Sequence, residues 1–185
     1  ATQPIMVERA MYWSAGGVEV TFLKEDGSQL IRAYSMDPKS RRVILAHELL
    51  PNQGFSTTVK SQLPVAVERS MYWPAGGVAK ADGHNSIGMS RLSTEWYLAE
   101  GYNSINTYQY ETYLTLVNPH DDEVVANVFF LKEDGTTLPY RRIMPARSRQ
   151  TIQTNILIPA GGFSTHVTAT QPIMVERAMY WSAGG

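Results

Sequence analysis

The chain repeats itself at one fixed offset, and that offset limits what it can fold into. From Phe22 to Trp73 every position aligns without a gap with the position 108 residues later, and 25 of these 52 positions are identical. "FLKEDG" at 22–27 returns at 130–135, "GFST" at 54–57 at 162–165, and "ERSMYW" at 68–73 as "ERAMYW" at 176–181. Turns, apolar positions and the terminal Trp keep register, which marks a duplicated structural unit. The closing segment also opens the chain: residues 1–17 and 169–185 are both ATQPIMVERAMYWSAGG.

The copies differ in length. Trp13 to Trp73 spans 60 residues and Trp73 to Trp181 spans 108, so the first unit is shorter by 48 (108 − 60). The shortfall falls around "WYLAEGYNSINTYQYETYLTLVNP" at 96–119. These lengths divide the chain into a closing strand of a preceding repeat (1–17), a truncated β repeat (18–77), an inter-repeat linker (78–95) and a complete β-sandwich repeat (96–185).

Alternating β-branched and aromatic residues predict strands over 110–118, 124–131, 138–144, 148–157, 163–169 and 172–181. "PHDDE" and "KEDGTT" are turns, the second a hairpin in which the Gly after Asp supplies a positive φ. No segment carries ten residues of helical period. Short strands joined by turns every 8–12 residues or so point to an all-β fold, antiparallel Ig-like β-sandwich repeats in tandem.

The closing strand raises a question of partners. Alternation puts Val67, Arg69, Met71 and Trp73 on one face, and likewise Val175, Arg177, Met179 and Trp181. An Arg on an apolar face needs a partner, either the aromatic two positions on or a carboxylate. The alternative is a bulge at Glu-Arg that turns the Arg outward.

"STEWYLAEGY" at 93–102, then "YETYLTLVNP", "FLKEDG", "PARSRQTI", "GFST", "PIMVERAMYW" and the "GHNSIG" that follows such a strand resemble the repeat unit of an uncharacterised tandem-repeat family of bacterial extracellular surface proteins. The resemblance covers 74–185 in full and 18–73 in part, because the first unit lacks "WYLAEG" and the strand after it. It implies an extracellular, all-β, tandem architecture at the cell surface, and no known chemistry.

With 16 basic and 17 acidic side chains, the net charge of −1 gives no reason to expect nucleic acid or an anionic membrane as partner. No apolar run approaches the roughly 18 residues that span a bilayer. Cysteine is absent, which excludes disulfides and thiol catalysis. The first residue is not Met and no leader pattern follows, so the chain is read as mature or as a piece of something longer.

Chemistry has few candidates. His47, His84, His120 and His166 lie in no zinc spacing. Asp82, His84 and Asn85 suggest a metal loop but are read as a polar turn, and Asp121, Asp122 and Glu123 as a solvated turn rather than a Ca²⁺ site. "GFSTT" and "GFSTH" lack the second Gly of a nucleophile elbow. Lys24 and Lys132 fall in hairpin turns, where solvation rather than an isopeptide cross-link is expected. We expect no enzyme, no cofactor and no metal.

Trp96, Tyr97, Tyr102, Tyr108, Tyr110 and Tyr113 cluster within 18 residues. Exposed rings would stack on sugar faces, whereas buried ones are packing. The identical ends fit either a chain cut at equivalent points of a tandem array, or strand exchange in which one chain completes its neighbour and makes a filament. The reading is a non-catalytic structural repeat that self-assembles or extends, with Arg9, Met11, Trp13, Arg69, Met71, Trp73, Arg177, Met179 and Trp181 as junction anchors. The alternative is a glycan-binding adhesin module whose contacts are Trp96, Tyr97, Tyr108 and Tyr110.

Overall fold

The computed structural model describes residues 5–8, 16–75, 78–105 and 109–181, which form antiparallel β-sheet with one four-residue helix and one 3₁₀ turn. None of its helices is long and apolar enough to cross a membrane. The chain divides into two compact units, Ala1–Lys24 with Gln29–Ser90, and Glu25–Ser28 with Arg91–Gly185.

The first unit holds β1 (Ile5–Glu8), β2 (Gly16–Lys24), β3 (Gln29–Met36), β4 (Val43–Leu45), helix α1 (Ala46–Leu49), β5 (Phe55–Ser61), β6 (Glu68–Ala75) and β7 (Val78–Ile87). They make two sheets, ordered β3-β2-β5 and β4-β1-β6-β7. Alternation along β2 turns Val18, Val20 and Phe22 inward, where they bury with Met36, Ala46, Leu50 and Phe55.

The second unit holds β8 (Ser93–Leu98), β9 (Tyr102–Asn103), β10 (Tyr110–Asn118), β11 (Val124–Lys132), β12 (Thr137–Met144), β13 (Ser148–Gln153), a 3₁₀ turn at Thr154–Ile156, and β14 (Gly161–Trp181). The order is β12-β11-β14-β10-β13, with β8 and β9 also on β14. β14 serves twice. Its first part, through Ala169, pairs with β11 and β8, and the stretch Met174–Trp181 pairs with β10. Both parts feed one apolar cluster, which includes Val128, Phe130, Phe163 and Val167 from one side and Leu114, Leu116, Ile173 and Val175 from the other.

Ladder partners recur 108 positions on. Lys24↔Phe55 and Leu23↔Gln29 in the first unit become Lys132↔Phe163 and Leu131↔Thr137 in the second. Phe22 meets Phe55 edge-on with centroids 5.2 Å apart, and Phe130 meets Phe163 edge-on at 5.5 Å. Each long hairpin turns the same way. Asp26 accepts from the Ser28 N–H and Asp134 from the Thr136 N–H, while Gly27 and Gly135 take φ near +80°. Lys39 and Arg147, also 108 apart, share the left-handed region that L side chains rarely enter.

Several expectations meet a different structure. The stretch 78–95, expected as an inter-repeat linker, is mostly strand, β7 followed by β8. "GHN" reads as a turn, but Gly83 lies opposite Tyr72 in the β6–β7 ladder, and an aromatic covering a cross-strand Gly keeps it in a sheet. Strands 163–169 and 172–181 are one strand, because Pro172 falls where β14 shifts register, between Thr168 and Ile173, and no ladder bond is asked of it there. The strand expected over 148–157 stops at Gln153 and winds into the 3₁₀ turn. Finally, Ile5–Glu8 belongs to the sheet of the first unit. Val7 pairs with Ile44 and Arg69, and Leu114 of β10 pairs with Ile152 and Arg177, so β1 takes the place that β10 takes in the second unit.

Candidate functional site: the closing strands and the aromatic face

The two closing strands show where their arginines go. The β10–β14 ladder runs unbroken from Tyr110↔Trp181 to Val117↔Met174, so there is no bulge at Glu176–Arg177. Arg177 stays on the face of buried Val175, and its Nη1 donates to the Glu100 carbonyl at 2.5 Å, with the Glu100 carboxylate 3.7 Å away. In the first unit the irregularity lies between Trp73 and Ala75, past the Glu-Arg pair. There Arg69 Nη2 stands 3.3 Å from His84 Nδ1 on β7. Carboxylate, carbonyl and imidazole partners replace the bulge.

The remaining anchors are half-buried or exposed. Met71 lies between Ile5 and His84 in the sheet, and Trp73 pairs with Asp82. Met179 pairs with Thr112, and Trp181, 57% exposed, stacks on Tyr110 with centroids 6.4 Å apart. Arg9, Met11 and Trp13 lie outside the described residues.

The aromatic cluster divides between packing and surface. Trp96 is packing: its ring lies against the core of the second unit, and its Nε1–H donates to the Ser93 and Ile173 carbonyls, each at 3.1 Å. Tyr110 packs edge-on against Tyr102. Tyr113 donates to Glu111 Oε2 at 2.9 Å, and burial together with that carboxylate pushes its phenol up to about 12. Tyr108 lies outside the described residues.

Tyr97 is the exposed one, at 70%. One face of its ring is already covered by His166, parallel to within 2° at 4.5 Å, and His166 in turn stacks on Phe129 at 5.7 Å. The Tyr97 hydroxyl donates to Glu95 Oε1 at 2.8 Å, and His166 Nε2 stands 3.0 Å from the same oxygen. The Tyr97 hydroxyl, and then His166, hold the Glu95 carboxyl below its ordinary range. Sequence reasoning missed this row because it spans three strands: His166 is the ladder partner of both Tyr97 and Phe129. Only the pairing brings them together.

The other titratable candidates serve turns and clips. His120 Nε2 meets the Pro172 carbonyl at 2.6 Å. Asp121 pairs with Arg147, whose guanidinium lowers its pKa. Lys132 lies 4.0 Å from Asp134. Among the described residues no three acidic or imidazole side chains converge on a point. An apolar cleft in the first unit is lined mostly by Val18, Val20, Met36, Ile44, Val59 and Val65.

Two buried asparagines were also missed. Asn103 donates to Thr154 Oγ1 and the Ile158 carbonyl while its Oδ1 accepts from the Thr112 N–H. Asn118 donates to the Asp122 and Pro145 carbonyls and accepts from the His120 N–H. Each ties three backbone segments together, which a buried amide with every group satisfied does at little cost.

No family model matches the chain, and no curated protein matches it. Among solved structures it is similar to an Anabaena sensory rhodopsin transducer, with 26% identity, over 48% of this chain and 98% of that one, at a TM-score of 0.40.

Proposed function

We propose that this chain is a non-catalytic structural part of an extracellular bacterial surface protein or filament, made of Ig-like β-sandwich repeats in tandem, which extends or assembles. One observation carries the reading: the features that recur at the 108-residue offset are scaffold. The Phe22–Phe55 and Phe130–Phe163 pairs, the Asp-Gly turns and the left-handed Lys39 and Arg147 all serve the backbone and core. The row of Tyr97, His166 and Phe129 does not recur, since Thr21 and Thr58 stand where the second unit has Phe129 and His166. A duplication that keeps architecture and lets side-chain chemistry drift suits a spacer.

The test uses an antibody against this chain on intact and on lysed cells of its source, with a denaturing gel of the same material. Surface labelling with a polypeptide far longer than 185 residues supports a tandem array. Surface labelling at about the size of this chain supports a filament of small subunits. Labelling that needs lysis overturns the extracellular reading.

The adhesin alternative keeps one observation in its favour, the outward face of Tyr97 with Glu95 at its hydroxyl. Glycan-array binding abolished by Tyr97→Ala in a folded chain would support it, and a blank array would remove it.

A further inference from the structure

The two closing strands are almost the same strand. Glu68–Trp73 and Glu176–Trp181 differ only at Ser70 and Ala178. Their surroundings match on one side. β4, β1 and β6 stand to one another as β13, β10 and the end of β14 do: β4 and β6 match β13 and β14 at the 108-residue offset, and Val7 of β1 takes the place of Leu114 of β10. On the other side they differ. β6 carries a fourth strand, β7, whereas among the described residues no strand is ladder-paired with Glu176–Trp181 on the side away from β10.

The first unit also shows what such an edge takes. β7 pairs with it from Glu68↔Ile87 to Trp73↔Asp82, and the Gly88 N–H donates to the Val67 carbonyl at 2.8 Å beyond. Register is enforced at Tyr72. Its ring covers Gly83, where an added Cβ would stand 2.8 Å from Tyr72 Cδ1 and from the Met71 carbonyl oxygen. Only glycine fits opposite that tyrosine.

We propose that the edge of β14 over Glu176–Trp181 is an acceptor for one strand of the Val78–Ile87 type, carried by a further unit of the same repeat, with Gly83 opposite Tyr180 and His84 opposite Met179. The inference rests on the repeat reading above and deepens it, by naming the surface through which one unit receives the next. Strand addition of this kind draws its affinity from backbone hydrogen bonds and its register from the side chains opposite. A strand added there also covers a sheet edge, the kind of surface that templates unspecific pairing.

The test lengthens the chain by a copy of Val78–Ile87. Ser182–Gly185 supply the same four-residue spacing after Trp181 that separates Trp73 from Val78, so the appended strand is tethered where the proposal needs it. Amide hydrogen exchange over Glu176–Trp181 is then compared with that of the 185-residue chain. We expect exchange there to slow by about tenfold or more, and the gain to vanish when the appended copy carries Gly83→Val. Unchanged exchange in the lengthened chain overturns the proposal. Equal protection by the glycine and valine versions overturns it too, because pairing would then not use the Tyr180 register. Failure here with surface labelling intact would leave the repeat reading standing, and success here without surface labelling would leave the acceptor edge standing alone.

Discussion

At the scale of single residues, the tightest position is Gly101. A Cβ added there would lie 2.4 Å from the Phe163 ring, whose backbone N–H donates to the Gly101 carbonyl at 2.9 Å. Phe163 is itself held edge-on by Phe130, so the ring has no easy retreat. Gly101→Ala is expected to cost about 1–3 kcal/mol by overpacking, read as a lower denaturant midpoint. An unchanged midpoint would mean that Phe163 repacks freely. Tyr113 gives a second test. Its folded pKa, about 12, lies above the ordinary value of 10.0, so the folded state holds the phenolic proton more tightly than the unfolded state does. The resulting stability is fully present below pH 10 and is lost as pH rises from 10 through about 12. A tyrosinate absorbance titration should show a phenol ionising near pH 12, and Tyr113→Phe should remove that component. All phenols ionising together would contradict the burial account.

At the scale of elements, the hairpin between β11 and β12 isolates backbone cost from packing cost. Gly135 has φ of +79° and open space where a Cβ would go. Gly135→Ala should therefore cost only the left-handed penalty, about 1–2 kcal/mol, measured by chemical denaturation. A larger loss would reveal an unseen contact. This hairpin was legible in the sequence, because Asp134, Gly135 and Thr136 carry their reasons locally. So were β10 to β12, whose alternation matches their burial nearly residue by residue. What escaped depended on partners. Gly83, His84 and Asn85 look like a turn until Tyr72 is placed across from Gly83. Pro172 looks like a break until β14 is seen to change partners there. The arginines of the closing strands needed Glu100 and His84, 77 and 15 residues away, and no local pattern names them.

At the scale of the whole chain, the offset of 108 was the strongest signal, and it reaches down to ladder partners and ring geometry. Phe22 and Phe130 are both fully buried at matched positions. Phe22→Ala and Phe130→Ala should each cost about 3–5 kcal/mol, read by hydrogen exchange in the unit that loses the ring. A much smaller loss in one of them would mean that the two cores are not equivalent. The candidate site was less legible than the fold. Alternation predicts which rings face outward but not that His166 slides against Tyr97, since that contact joins residues 69 positions apart (166 − 97).

One stretch of letters occupies two different places. IMVE at 5–8 is β1, held between β4 and β6, while IMVE at 173–176 lies within β14. During folding the two copies are decoys for each other: either can dock first in the slot meant for its twin, and the wrong choice must be undone. Repeats that share sequence are prone to such kinetic traps. Refolding from denaturant should therefore show a slow phase unconnected with proline isomerisation. Replacing Ile5–Glu8 by a β-forming tetrapeptide that occurs nowhere else in the chain should abolish it, because the chain would then hold one candidate for each place.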